Sequence, residues 1–414
     1  MSKQNSPLVL GTERISKLLT QYAIPAIIAM TASSLYNMAD SIFIGHGVGP
    51  LAISGLALTF PLMNLAAAFG SLVGVGASTL VSVKLGQKDY EGANKVLGNV
   101  LVLNVVLGLA FTLVFMLLLD PILYFFGASE NTISYARDYM KVILYGNLIT
   151  HIYMGLNEVM RASGYPQRAM MATLFAVLIN GVLNALFIFV LDMGIKGAAI
   201  ASVLAEASSI LFFLIYTYIS VDLKKYGLNR LRSFDPALLM RILSISCFTM
   251  LQYFLSMATW FVFFVAVERL GQRELAIANI VRSIYVVLLI PVNALATTTN
   301  SLVSNAIGAG GIQYVMPLIN KIARFSFFIM LGLVGLSVLF PQFLLSVYTS
   351  EAALITESVP SVYVICCAML IASVANVVFN GISGTGNTQA ALLLETITIA
   401  IYGSYIVFVG MWLK

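Results

Sequence analysis

Apolar runs of about 20 to 30 residues recur along the whole chain, and nothing else in the sequence restricts the fold so tightly. Polar breaks and Gly or Pro punctuation separate eleven of them, at about 18–44, 51–83, 96–119, 133–160, 169–191, 197–220, 237–267, 275–306, 322–345, 355–382 and 388–412. Each is long enough to cross a hydrocarbon core about 30 Å thick. In lipid only helices or closed barrels satisfy their own backbone, and barrel strands would read as alternating stretches of about ten residues. The expected fold is therefore all-α and polytopic. Composition agrees: a soluble chain of 414 residues that is 60% hydrophobic and 9% charged, with mean hydropathy +0.96, could not cover its apolar surface. The first run is too long for a cleaved signal and no small-residue cleavage site follows it, so it is expected to stay.

The net charge of +5 does not indicate nucleic acid, because the basic residues sit in short connections between apolar runs. They concentrate in segments that share a side with the N-terminus, among them Lys84, Lys88, Lys95, Arg161, Arg168, Lys224, Lys225, Arg230 and Arg232. That bias predicts a cytoplasmic N-terminus. Cys247, Cys366 and Cys367 lack disulfide or metal-site spacing and are expected to be packing residues. Pro25, Pro61 and Pro291 fall inside spans and mark bends.

Three short matches recur at nearly one offset. Leu51-Ala-Ile-Ser-Gly-Leu pairs with Leu275-Ala-Ile-Ala-Asn-Ile, Val81-Ser-Val-Lys-Leu-Gly86 with Val303-Ser-Asn-Ala-Ile-Gly308, and Gly164-Tyr-Pro-Gln-Arg-Ala169 with Gly386-Asn-Thr-Gln-Ala-Ala391. An offset near 222 spans six helices, so two pseudo-symmetric six-helix bundles in a parallel repeat are expected. Residues 1–220 would form the N-terminal lobe, 221–235 a cytoplasmic linker, and 236–414 the C-terminal lobe. The counterpart of the sixth span would lie at about 419–442, so five of the six helices of the second half, and no twelfth helix, fall within the sequence given.

Polar residues then stand out. Ser33, Tyr36, Asn37 and Asp40 share a helical stripe in the first span. A carboxylate in a membrane-spanning segment costs roughly 2.5 to 3.5 kcal/mol on insertion scales, so it needs a task such as exchanging a proton or holding a cation. Thr173, Val177, Asn180, Gly181 and Asn184 line one face of the fifth span, and Ser202, Glu206 and Ser209 one face of the sixth. In the fourth, Thr150, Met154, Asn157 and Arg161 align, with His151 and Glu158 on the adjoining stripe. Together with Asp40 these predict a polar chamber in the first six-helix unit. Single Asn or Ser residues also serve as interhelical glue worth about 0.6 kcal/mol; the set with two acids favours a cavity. Glu158 and Arg161 read as a structural ion pair, and His151 as a satisfied core histidine.

The second half is polar without acids at matching places: Thr249, Gln252, Tyr253, Ser256 and Trp260; Asn279, Arg282 and Asn293; Ser373, Asn376, Asn380 and Ser383. Arg282 needs an anionic partner or a wet cavity, with Glu206, Glu268 and Glu395 as candidates. There is no HExxH, GxSxG, CxxC or P-loop, so no enzyme is expected. Glu158, His151 and Arg161, the one tempting cluster, lack a nucleophile or metal set.

These residues resemble the multidrug and toxic compound extrusion (MATE) transporters. The resemblance rests on the repeated six-helix plan, Pro25, Tyr36-Asn-Met-Ala-Asp-Ser-Ile-Phe-Ile-Gly45, Lys84-Leu-Gly-Gln87, Asn157-Glu-Val-Met-Arg-Ala-Ser-Gly164 and Gly197-Ala-Ala-Ile-Ala-Ser202. It implies a secondary active antiporter in the cell membrane, exporting organic, often cationic and amphipathic compounds by alternating access in exchange for protons or sodium ions. By the same resemblance Asp40, Asn180, Asn184 and Ser202 would form the ion- or proton-coupling cluster, with sodium as one candidate ion at Asp40 and no other cofactor. Tyr36, Asn157, Glu206, Gln252, Tyr253, Asn279, Arg282, Asn376 and Asn380 would line the substrate cavity, and Pro25 would be the hinge. Asn184 stands where some members carry a second acid, which weakens a sodium site. The protein would work as a monomer with small organic substrates and the lipid bilayer as its partners. The alternative is a flippase for a lipid-linked precursor, which would call for a cationic chamber.

Overall fold

The computed structural model describes residues 15–219, 235–349 and 351–412, and the expected linker lies mostly outside them. Among the described residues the long helices are α1 (Ile15–Gly47), α2 (Pro50–Gly86), α3 (Tyr90–Leu117), α5 (Ile133–Ala162), α6 (Pro166–Asn184), α7 (Gly194–Ile219), α8 (Pro236–Glu268), α9 (Gln272–Gly308), α10 (Val315–Leu339), α12 (Ala352–Gly384) and α13 (Thr388–Trp412). Two short helices, α4 (Leu119–Phe125) and α11 (Pro341–Ser346), follow α3 and α10. The fold is thus the all-helical membrane architecture that the apolar runs require. The helices run unbroken through Pro25, Pro61 and Pro291, and also through Pro360 in α12.

The boundaries depart from the apolar runs where local chemistry decides. The third run was expected from 96, but α3 starts at Tyr90 because Asp89 caps it, accepting the Gly92 amide at 2.8 Å. The ninth was expected to continue to 345. It ends at Leu339 because Phe340, preceding Pro341, leaves the helical region (φ −128°, ψ 51°) and a new helix begins at the proline. The fifth begins at Pro166, in the first-turn position where a missing N–H costs nothing.

Ten of the eleven long helices are apolar enough to cross a membrane on their own. The exception is α5, with Asn147, His151, Asn157 and Glu158 along its length. It is tolerated because α2, α3, α6 and α7 all pack against it, so its polar side chains find partners inside protein rather than lipid.

The chain divides into two compact units, Ile24–Cys247 and Phe248–Lys414, the second also taking in Arg14–Ala23. In the first unit α2 and α5 make the most extensive helix pair. One core cluster lies around Leu62, Phe111, Leu123, Met140 and Leu144, another around Ile44, Leu56, Tyr139 and Ala198. In the second unit α9 and α12 are the main pair, and Ile284, Val292, Met330, Cys366 and Met369 lie in its core. Of the cysteines expected to pack, only Cys366 is buried; Cys247 and Cys367 are exposed.

Element by element, the second unit repeats the first 222 residues later. α2 at 50–86 corresponds to α9 at 272–308, α5 and α12 end at 162 and 384, and α6 and α13 begin at 166 and 388. The turns correspond as well, with positive φ at Gly49 and Gly271, Lys88 and Gly310, and Gly164 and Gly386. Even one tertiary hydrogen bond recurs: Ser82 Oγ donates to the Ala162 carbonyl at 3.3 Å, and Ser304 Oγ to the Gly384 carbonyl at 2.7 Å.

Candidate functional site

Asp40 lies on α1 and is only 5% exposed. Its Oδ1 accepts from Asn184 Nδ2 at 2.5 Å and its Oδ2 from Ser202 Oγ at 3.2 Å. Asn184 Nδ2 also donates to Asn180 Oδ1 at 2.8 Å, and Asn180 Nδ2 to Ser202 Oγ at 3.3 Å. Four residues from α1, α6 and α7, as far as 162 positions apart in sequence, thus close one buried network. Asn180 and Asn184 meet Asp40 together because they are four apart on one helical face. Immediately after Asn184 the helix loosens into a π-helical turn, Ala185–Val190, a distortion that often accompanies functional positions.

Asp40 and Ser202 face a chamber of about 350 Å³ inside the first unit. Tyr36, Asn37, Thr150, Thr173 and Glu206 also line it. Glu206 Oε2 accepts from Thr150 Oγ1 at 2.5 Å. No basic residue is among the lining residues, so the chamber is acidic. Asn157, expected on the wall, sits behind it: its Nδ2 donates to Thr173 Oγ1 at 3.1 Å and thereby holds a lining side chain.

Several wall residues were not singled out from sequence: Asn64, Tyr139, Asn147 and Tyr153. Asn147 is the most informative. It is buried, donates to the Gly108 carbonyl at 3.2 Å and contacts His151 Nδ1 at 3.4 Å, while its Oδ1 has no partner. Its place one helical turn before His151 was the available signal. His151 itself is fully buried, with Nε2 against the Ala66 carbonyl at 3.2 Å. That contact suits Nε2–H as donor and leaves Nδ1 to accept from Asn147. The ring sits between Gly70 and Gly108, where an added Cβ would come within 2.6 and 2.8 Å of it. Glu158 and Arg161 form the expected ion pair.

The second-unit candidates are not gathered into a network. Asn279 donates to the Leu275 carbonyl, Asn376 to Ala372 and Asn380 to Asn376, each bonding the previous turn of its own helix. Gln252 is buried with Nε2 unpartnered, and Tyr253 is exposed. Arg282 lies 5.4 Å from the centre of the Phe264 ring. Of its three candidate partners, Glu206 takes Thr150, Glu395 takes Ser256 at 2.6 Å, and the Glu268 side chain lies outside the described residues. Cation–π contact with Phe264 is therefore what the described structure provides for this charge.

Long apolar helices around a chamber lined by Asp40 and Glu206 define a polytopic membrane protein. The MatE family model matches the chain twice, over residues 25–186 and 246–408, and the chain belongs to that family. The two matches are displaced by 221 residues at their starts and 222 at their ends. The multidrug export protein MepA of Staphylococcus haemolyticus (strain JCSC1435) is 32% identical over 202 residues, which are 49% of this chain and 45% of MepA; the chain thus spans about half the length of that relative. A solved MATE in complex with MaD5 superposes with TM-score 0.89 at 23% identity, covering 100% of this chain and 94% of that one. The outward-facing conformation of a multidrug resistance MATE family transporter of the MOP superfamily gives TM-score 0.87 at 25% identity, over 95% and 88%. The protein is thus placed among transporters rather than enzymes.

Proposed function

We propose that this protein is a secondary active antiporter that exports organic, cationic and amphipathic compounds, coupled through Asp40. The observation that carries this reading is the buried Asp40 carboxylate, held by Asn184 and Ser202 on the wall of an acidic chamber. A membrane-embedded carboxylate with this much support marks an ion or proton pathway. The same acidity disfavours the flippase alternative, since a pyrophosphate would be repelled.

The hydrogen bonds favour a proton as the coupling ion. Ser202 has one hydroxyl hydrogen and two acceptors in reach, Asp40 Oδ2 at 3.2 Å and the Ala198 carbonyl at 3.1 Å. When Oδ2 takes a proton, its O–H can donate to Ser202 Oγ while Ser202 turns its own hydrogen to Ala198. The charge is removed with no heavy atom displaced. Sodium fits the arrangement less well, because a hard cation needs oxygens and Asn184 presents Nδ2 to Asp40, its unpartnered Oδ1 turned elsewhere. Half a turn of that amide would be required first.

Neutralising Asp40 would let α1 adjust about Pro25 and change the chamber's preference for cationic substrate. Reciprocal coupling of the two binding events then makes the exchange an antiport by alternating access. In this reading the protein is a monomer in the cell membrane with its N-terminus cytoplasmic, built from two six-helix repeats.

Reconstitution into proteoliposomes tests this, with a fluorescent organic cation and with proton and sodium gradients imposed separately. The expected result is transport driven by the proton gradient and lost in Asp40→Asn. Continued pumping by that variant under the same gradient would sink the reading.

A further inference from the structure

The second unit contains a pocket that the coupling network does not use. It holds about 210 Å³ between α8 and α13, and Ser256, Thr259, Trp260, Glu395, Thr398 and Tyr402 line it. Its position in the repeat is informative. Displaced by 222, Thr259, Glu395 and Thr398 fall on Asn37, Thr173 and Ala176, all of which line the chamber of the first unit. The fold therefore makes a hollow at the same place in both units, but the acid has moved. Asp40 corresponds to Val262, and the second pocket carries its carboxylate on α13 instead.

Glu395 lies within an apolar span, Thr388–Val409, where an uncompensated carboxylate is costly. Ser256 Oγ donates to its Oε1 at 2.6 Å, and among the described residues no basic side chain is paired with it. One neutral hydroxyl does not cancel a charge. Trp260 completes the wall, and its ring is braced by Tyr285 at 5.3 Å, Phe264 at 6.0 Å and Phe263 at 6.1 Å. A carboxylate beside a braced indole and a phenol suits a cation that needs no hydrogen-bond acceptors, because the aromatic faces and the charge attract it together. A bare metal ion is poorly served. The Thr259 and Thr398 hydroxyls are donated to Leu255 and Leu394 of their own helices, and among the described residues no three His, Cys, Asp or Glu side chains gather.

We propose that this pocket binds the ammonium head of a small organic cation, with Glu395 as counter-charge and Trp260 and Tyr402 as aromatic walls. Binding stands on the pocket's own geometry; that the bound ammonium is also exported rests on the antiport reading.

The chain has two tryptophans, so Trp412→Phe leaves Trp260 as the sole indole reporter. Purified full-length protein carrying W412F is titrated with choline and with 3,3-dimethylbutan-1-ol, which has the same shape without the charge. The expected result is a saturable change in Trp260 emission with choline and none with the alcohol. Adding E395Q should raise the choline Kd by about tenfold or more, whereas E395D should retain binding. Retention in E395D separates loss of charge from loss of fold. An equal response to the alcohol or an unchanged Kd in E395Q would each overturn the proposal. Choline binding without gradient-driven transport would keep this site and remove the antiport reading.

Discussion

Set 222 residues apart, α2 falls on α9 and α5 ends where α12 ends, yet the interiors these helices enclose have opposite chemistry. In the first unit His151 sits between Gly70 and Gly108, with Asn147 alongside. The corresponding residues of the second unit are Ser373, Val292, Met330 and Met369. Bulk at the centre and none at the flanks becomes the reverse, so the same helix spacing is filled by a hydrogen-bonded ring in one unit and by aliphatic side chains in the other. Asp40, Asn180 and Asn184 become Val262, Tyr402 and Ile406. Helix boundaries and turns are thus separable from what the helices carry, and a duplicated fold can keep the Asp40 network in one copy only.

The sharpest way to break this contrast is to exchange the acid. Asp40→Val, the second unit's residue, is expected to lower gradient-driven transport at least about a hundredfold, the order expected when a residue essential to a proton-transfer step is removed. Val262→Asp should not restore it and should destabilise by about 3 kcal/mol, since no network awaits a carboxylate there. Transport assays and thermal unfolding in detergent measure both.

Exchanging size rather than charge comes next. Gly70→Val should lower stability by about 1 to 3 kcal/mol through overpacking on His151. Combining it with His151→Ser, as in the second unit, should recover at least part of that loss. A double variant no more stable than the sum of its parts would show that the two interiors are not alternative fillings of one plan.

The inner loops differ more mildly. Asp89 caps α3, and the equivalent position, Gly311, precedes a 3-10 turn, Ile312–Tyr314, before α10 begins. Asp89→Ala should cost about 1 kcal/mol. The hydrogen bond from Lys84, with that from the Gly92 amide, holds the Asp89 carboxyl below its ordinary value. A lowered folded-state pKa means this contribution is present above the unfolded value, near 3.9, and is lost as pH falls through the folded one. The gap in unfolding temperature between wild type and Asp89→Ala should therefore close below about pH 4.

Smallest is the contact the units share. Ser82→Ala and Ser304→Ala should each cost about 0.6 kcal/mol and differ little from one another. A large difference would mean that equal geometry conceals unequal packing.

Much of this was legible in the sequence because lipid leaves few choices. Long apolar runs had to be helices, and Asp40 had to have partners. Asn180, Asn184 and Ser202 were readable through helical spacing and family resemblance. Asn147 was not, because an Asn one helical turn from a His looks the same whether it glues helices or lines a wall. Nor could sequence show that Asn279, Asn376 and Asn380 bond their own helices, since that depends on rotamers. The Glu395 pocket was hidden for a third reason: its acid shares no helical stripe with Trp260, and only the fold sets α8 and α13 around one pocket, joined by the Ser256–Glu395 hydrogen bond.

The low hydropathy of α5 also bears on how the protein is made. A segment with Asn147, His151, Asn157 and Glu158 gains too little from lipid to leave a translocation channel unaided. Its counterpart α12 is apolar enough to do so. During synthesis α5 must therefore be received by helices already in the bilayer, with α2 and α3 preceding it in the chain and packing against it at the end. The first unit would enter the membrane as a cooperative group and the second helix by helix, so damage to α2 should surface first as misinsertion of α5.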